Sequence, residues 1–172
     1  MRRFAALAVL TLIMTVTGCG LLPGWPGRSP TPTPAGLSEP LAFHQVTELR
    51  PAPCASAGSD RTYPEPDNPR SCLRLGPSRL TVERLEQVKV ETDSGGNWMI
   101  LITLPADAAD TLAEVTADLA AEPDPKNRMA MIIGEELISA PMVQQEIPGG
   151  QLQLAGNFTR ADADALARRL GG

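Results

Sequence analysis

From residue 41 onward, the apolar positions switch between a period of two and a period near 3.6, and each switch marks an element. Residues 41–49 alternate, with Leu41, Phe43 and Gln45 to one side and Ala42, His44 and Val46 to the other, which predicts a strand. Residues 72–76 predict a short strand halted by Gly76-Pro77, after which Thr81 is placed to N-cap a helical turn through residues 82–85. Residues 88–92 alternate again. The cluster Asp93-Ser94-Gly95-Gly96-Asn97 is a turn, and residues 98–104 form a second strand, so the pair predicts a β-hairpin. The second strand is apolar on both faces (Trp98, Ile100, Ile102 and Leu104; Met99 and Leu101), the pattern of a central strand. Lys89 and Glu91 leave one face of its partner in water.

Residues 105–122 carry Ala108, Leu112, Val115 and Leu119 at intervals of four, three and four, a single helical stripe. Pro123 and Pro125 end that helix. Residues 129–133 are an apolar strand, Gly134-Glu135 forms a tight turn, and Leu137-Ile138 returns until Pro141 stops the ladder. After the Pro148-Gly149-Gly150 turn, residues 151–155 alternate polar and apolar, a half-buried strand. Thr159 then opens a last helix, with Asp162 at the third helical position in an approximate capping box. Ala163, Leu166, Ala167 and Leu170 form its buried stripe, Arg168 and Arg169 suit its C-terminal dipole, and Gly171 suits the position after the cap. Strands and helices mix without βαβ regularity. The expected class is α+β: a mostly antiparallel sheet with two helices packed on one face.

Composition changes the picture at the N-terminus. Met1-Arg2-Arg3, an apolar run over residues 4–16 and Val16-Thr17-Gly18-Cys19 have the form of a lipoprotein signal, in which Cys19 becomes the acylated first residue. The expected divisions are a signal peptide over residues 1–18, a Pro-rich tether over 19–40 and an extracytoplasmic domain over 41–172, with its core in 80–172. The tether, with its alternating Thr-Pro, favours extended polyproline-like backbone and cannot pack a core. Loss of residues 1–18 removes two arginines and no acid, leaving thirteen basic against twenty acidic residues, a net charge of −7. An acidic body argues against nucleic acid as a partner. Attachment to the membrane then depends on the lipid anchor, through acyl burial worth ~0.8 kcal/mol per CH₂.

With Cys19 assigned to lipid, Cys54 and Cys72 remain, and an even remainder in an exported chain predicts a disulfide. It closes a loop of 17 residues with almost nothing to bury, worth roughly 3 kcal/mol in the chain-entropy model. A metal pair at these thiols lacks further ligands, so neither metal nor cofactor is expected. His44 is the sole histidine and reads as a strand-face residue, since no nucleophile or second metal ligand accompanies it. Asp107, Asp110, Glu114 and Asp118 read as the solvated flank of a helix. No G-x-S-x-G motif is present, and the chain is not expected to be an enzyme.

Residues 129–133 (MAMII), Ile138-Ser139-Ala140-Pro141, Ile147, Gly149-Gly150, Leu154-Ala155-Gly156-Asn157-Phe158-Thr159 and the final helical stripe together resemble the head subdomain of the first periplasmic domain of SecD, the accessory subunit of the bacterial protein translocase. Residues 72–76 and 98–104 resemble exported actinobacterial proteins built on the same head. The resemblance spans about residues 72–172. One departure is the hairpin, where the family usually has Asp-Gly and this chain has Gly134-Glu135; the turn can change type without losing the fold.

The resemblance implies a part in late protein export, in which the head engages the emerging chain. The membrane bundle that couples the relatives to proton flow is not among the residues matched. The expected role is that of a lipid-anchored, non-catalytic module at the outer face of the membrane, binding an exported or envelope protein. The candidate edges are Glu135, Glu136 and Ser139 on one strand and Gln151 and Gln153 on another, each able to accept an extended segment. A structural subunit of an envelope complex is the alternative, with an envelope hydrolase as a distant third.

Overall fold

The computed structural model describes residues 35–54, 61–66 and 68–171. The signal, Cys19 and the tether up to residue 34 lie outside the described residues. The elements are β1 (Ala35–Pro51), β2 (Thr62–Glu65), β3 (Asn68–Leu85), β4 (Gln87–Thr92), β5 (Trp98–Thr103), α1 (Ala106–Ala120), β6 (Met129–Ile133), β7 (Glu136–Ser139), β8 (Gln151–Phe158) and α2 (Arg160–Arg169). All strand pairings are antiparallel. The strands divide into a five-stranded sheet ordered β2-β3-β1-β6-β7 and a three-stranded sheet ordered β4-β5-β8.

The main core fills the space between the inner faces of both sheets and the two helices. Leu41 and Phe43 of β1, Val82 and Leu85 of β3 and Met129, Met131 and Ile133 of β6 come from the larger sheet. Ile100, Ile102, Leu152 and Leu154 come from the smaller sheet. The helices add Leu112, Val115 and Leu119 from α1 and Ala163 and Leu166 from α2. A second cluster, with Val46, Leu73, Leu75, Ala130 and Ile132, lies on the opposite face of the larger sheet. For this reason all five residues of β6 are buried, although a strand with one wet face would alternate.

Two expectations are corrected here. Gly76-Pro77 does not end a strand, and Thr81 does not cap a helical turn over residues 82–85; both stretches belong to the continuous β3. The register explains it. His44 pairs with Ser78 and Val46 with Leu75, so Gly76 and Pro77 fall in an irregularity of the ladder where a missing N–H removes no cross-strand bond. The His44 imidazole Nδ1 lies 2.9 Å from the Gly76 carbonyl oxygen there, which gives that half-buried ring a structural partner. Beyond the irregularity, Leu41 pairs with Val82 and Ala42 with Thr81, and cross-strand pairing holds Val82 extended. Strand β1 also begins at Ala35, inside the stretch assigned to the tether.

Cys54 and Cys72 form a disulfide with an S–S distance of 2.05 Å. Nearby, Arg128 at the entry to β6 donates from Nη1 to Glu65 at 2.8 Å and from Nε to Asp124 at 2.7 Å. This pins the end of β2 to the loop after α1. The hydrogen bond to Asp124, then that to Glu65, holds the Arg128 guanidinium charged more firmly than usual.

At α2 the capping box is complete. The Thr159 hydroxyl accepts from the Asp162 N–H, and the Asp162 carboxylate accepts from the Thr159 N–H and hydroxyl. Thr159→Ala should therefore lower stability by about 1 kcal/mol in urea unfolding. The Thr159 hydroxyl, then its backbone N–H, holds the Asp162 carboxyl below the usual carboxylate range. A depressed folded pKa contributes stability that is present above the unfolded pKa and is lost as pH falls through the folded one. In Asp162→Asn, the acid-side decline in melting temperature should become shallower. An unchanged acid limb would show that this carboxylate contributes nothing to it.

Candidate functional site

Each sheet leaves one end strand beside the same stretch of surface. β7 ends the larger sheet and β8 ends the smaller, and the two are not paired with each other. The phase of β8 follows from one bond. Leu104 N–H donates to Gly150 C=O at 2.9 Å, and Leu152 and Leu154 stand opposite Ile102 and Ile100. Antiparallel alternation then turns the Leu152 and Leu154 amides toward β5 and those of Gln151, Gln153 and Ala155 toward the free side.

That free side borders two cavities. One, of about 240 Å³, lies between Gln151-Leu152-Gln153 and a floor and wall made by Met129, Met131, Met142, Val143 and Ile147, with Gln144 and Gln145 at its rim. The other, of about 150 Å³, lies between residues 154–158 of β8 and Ile138, Ser139 and Pro66. Neither is lined by an ionisable side chain. Where β8 gives way to α2, a shallower depression adds Glu136, Asp162 and Arg169. Arg169 pairs there with Glu136 at 2.6 Å and with Glu39 at 3.7 Å.

The predicted edge residues are partly assembled. Gln151 and Gln153 are exposed on the free strand β8, and the Gln153 amide lies 2.8 Å from the Met99 sulfur across the sheet. Ser139, half-buried at the end of β7, lines the cavity opposite Ala155. Glu136 reaches only the outer depression, held by Arg169, while Glu135 sits exposed in the β6–β7 turn and lines none of the three hollows. Sequence reasoning missed Met129, Met131, Met142, Phe158 and Pro66. Met142 carries a weak signal, an apolar residue in a polar connector, and it is 52% exposed. Pro66 carries none, because the residues it meets there, Ile138, Ser139 and 154–158, come much later in the chain.

Among the described residues, no group of three or more His, Cys, Asp or Glu side chains is arranged to hold a metal ion. Among the same residues no helix is long and apolar enough to cross a membrane.

Comparison with known proteins agrees with this architecture. The family described as SecDF, P1 head subdomain, matches residues 60–172. The protein translocase subunit SecD of Streptomyces coelicolor is 28% identical over 79 residues, which cover 46% of this chain and 14% of that protein. SecD of Sebaldella termitidis is 32% identical over 95 residues, covering 55% of this chain and 22% of its own length. The chain thus spans less than a quarter of these relatives. A solved structure of SecDF, a membrane component that enhances protein export, superposes with a TM-score of 0.55 at 22% identity, over 80% of this chain and 64% of the other. SecDF in its super-membrane-facing form gives 0.53 at 22% identity, over 80% and 19%. Likeness at this identity concerns the fold. On the match of the family model over residues 60–172, the chain belongs to the SecDF P1 head subdomain family.

Proposed function

We propose that this chain is a lipid-anchored, extracytoplasmic binding module of the export machinery, which takes up extended polypeptide along the free edge of β8. The observation that carries the reading is the juxtaposition on β8: outward-turned backbone amides at Gln151, Gln153 and Ala155 beside two uncharged cavities. An added strand gains main-chain hydrogen bonds from the edge and side-chain burial from the hollows on alternate residues. The kinship with SecD supports an exported chain as the occupant. Anchoring by acylation of Cys19 fits the sequence Val16-Thr17-Gly18-Cys19. The role is non-catalytic, since the β8 site lacks a nucleophile paired with a base.

The test is made in intact cells with the full chain. A photo-crosslinker at position 151 should capture a secreted reporter arrested during export, and one at Glu114, on the exposed flank of α1, should not. Gln153→Pro, which removes an outward N–H at an edge where proline is tolerated, should abolish the capture while the melting temperature stays within a few degrees. Cys19→Ser should release the protein from the membrane fraction. Equal capture from positions 151 and 114, or capture unaffected by Gln153→Pro, sinks the reading.

A further inference from the structure

The β8 site also carries information about which segments it accepts, an inference that rests on the reading just given. A fifth of this chain is Asp, Glu, Lys or Arg, yet the two cavities on the free side of β8 are lined by none, and Lys89 belongs to a separate hollow over β4, β5 and residues 151–153. Their polar atoms belong to amides and a hydroxyl: Gln144, Gln145, Gln151 and Gln153 in the first, Ser139 and Asn157 in the second. A charged side chain entering either hollow would lose water and find no counter-ion, which is strongly unfavourable. The floor of the larger hollow is Met129 and Met131, and exposed Met142 stands at its margin. Unbranched thioethers adapt to many shapes, so this lining discriminates weakly by side-chain form. Charge is left as the criterion.

The end at α2 differs. Glu136 and Asp162 line the depression there with Arg169, which is already paired with Glu136 and Glu39, while Arg160 nearby is paired with Asp164 and lies over Trp98. This surface is net negative and complements a positive side chain.

We propose that the β8 groove selects extended segments by charge pattern: uncharged over the five or so residues lying against residues 151–155, with a lysine or arginine accepted at the end that reaches Phe158 and α2. The occupant is therefore an unfolded polypeptide segment of alternating apolar residues flanked by a basic one. Neither a second copy of this acidic chain nor its own N-terminal segment is the favoured occupant.

The experiment uses the full chain in detergent and fluorescent nine-residue peptides read by anisotropy. The parent has an uncharged Val/Thr-alternating centre and arginine at both ends. Placing Lys or Asp at the centre should weaken binding at least tenfold. Exchanging both terminal arginines for Asp should weaken it about threefold, with the effect diminished in Glu136→Gln. If centre-charged peptides bind as tightly as the parent, and Gln153→Pro still abolishes binding of all of them, the charge pattern is refuted while edge recognition stands. If no peptide binds and position 151 also fails to capture the reporter in cells, both readings fall. Concentration-dependent dimerisation blocked by Gln153→Pro, or a crosslink from position 153 to residues 20–34, assigns the groove to a copy or to the chain itself and overturns the proposal.

Discussion

Replacing Phe43 by alanine is expected to lower stability by about 3–5 kcal/mol, the largest effect of any single truncation considered. Phe43 is fully enclosed and lies on β1, the middle strand of the five-stranded sheet. It pairs with Leu80 on one side and Met131 on the other. Its ring projects into the core that both sheets and both helices share, so the void cannot be closed by moving one element alone. Urea unfolding followed by tryptophan fluorescence should show a midpoint displaced at unchanged slope. Leu49→Ala, at a position 38% exposed on the same strand, should stay within about 0.5 kcal/mol. Similar losses for the two variants would mean that the shared core is not centred on β1.

The second large effect is expected at Gly150. Its φ of +67° lies in the left-handed region, and a Cβ there would stand 2.6 Å from the Ala109 Cβ and 3.2 Å from both the Ala109 Cα and the Leu104 Cβ. Ala109 is on α1 and Leu104 follows β5, so neither neighbour is a flexible side-chain end. Gly150→Ala therefore combines backbone strain with overpacking against a helix and should remove upward of about 3 kcal/mol. The adjacent Gly149 has a similar φ of +72° and open space at its Cβ position. Gly149→Ala should carry only the backbone part, about 1–2 kcal/mol. The difference between the two variants measures the close approach to α1. Because Gly150 C=O also accepts from Leu104 N–H, Gly150→Ala should disturb the start of β8 and weaken peptide binding. Equal losses at 149 and 150 would contradict the packing.

Much of the fold is legible in local pattern. The 88–104 hairpin, the stripes of α1 and α2, the tight turn at Gly134-Glu135 and the Thr159 cap each depend on residues within one turn or one strand of each other. The capping box read as approximate from the sequence is complete in the structure, the Asp162 carboxylate meeting the Thr159 N–H at 3.0 Å. Reading Gly76-Pro77 as a strand end failed for a non-local reason: whether proline breaks a ladder depends on the partner residue opposite, and here the ladder is already irregular. The candidate edge was half legible. Alternation named Gln151 and Gln153, but nothing near them in sequence says that β8 has a free side.

By itself, then, the sequence determined most of the extended and helical segments (though not β2 or the continuity of β3 through residues 76–85), which face of each is apolar, and that two cysteines remain to pair in the domain. Those properties follow from the two- and 3.6-residue periods and from turn chemistry, which act over a few residues. The tertiary structure alone decided that the strands divide into two sheets, with β1 between β3 and β6 and β5 joined to a β8 some fifty residues later. It alone made Gly150 indispensable against Ala109 and set Met129, Met131 and Pro66 beside the free edge of β8. Strand partners are chosen by which apolar faces close a common core, and no short window of sequence contains both faces at once.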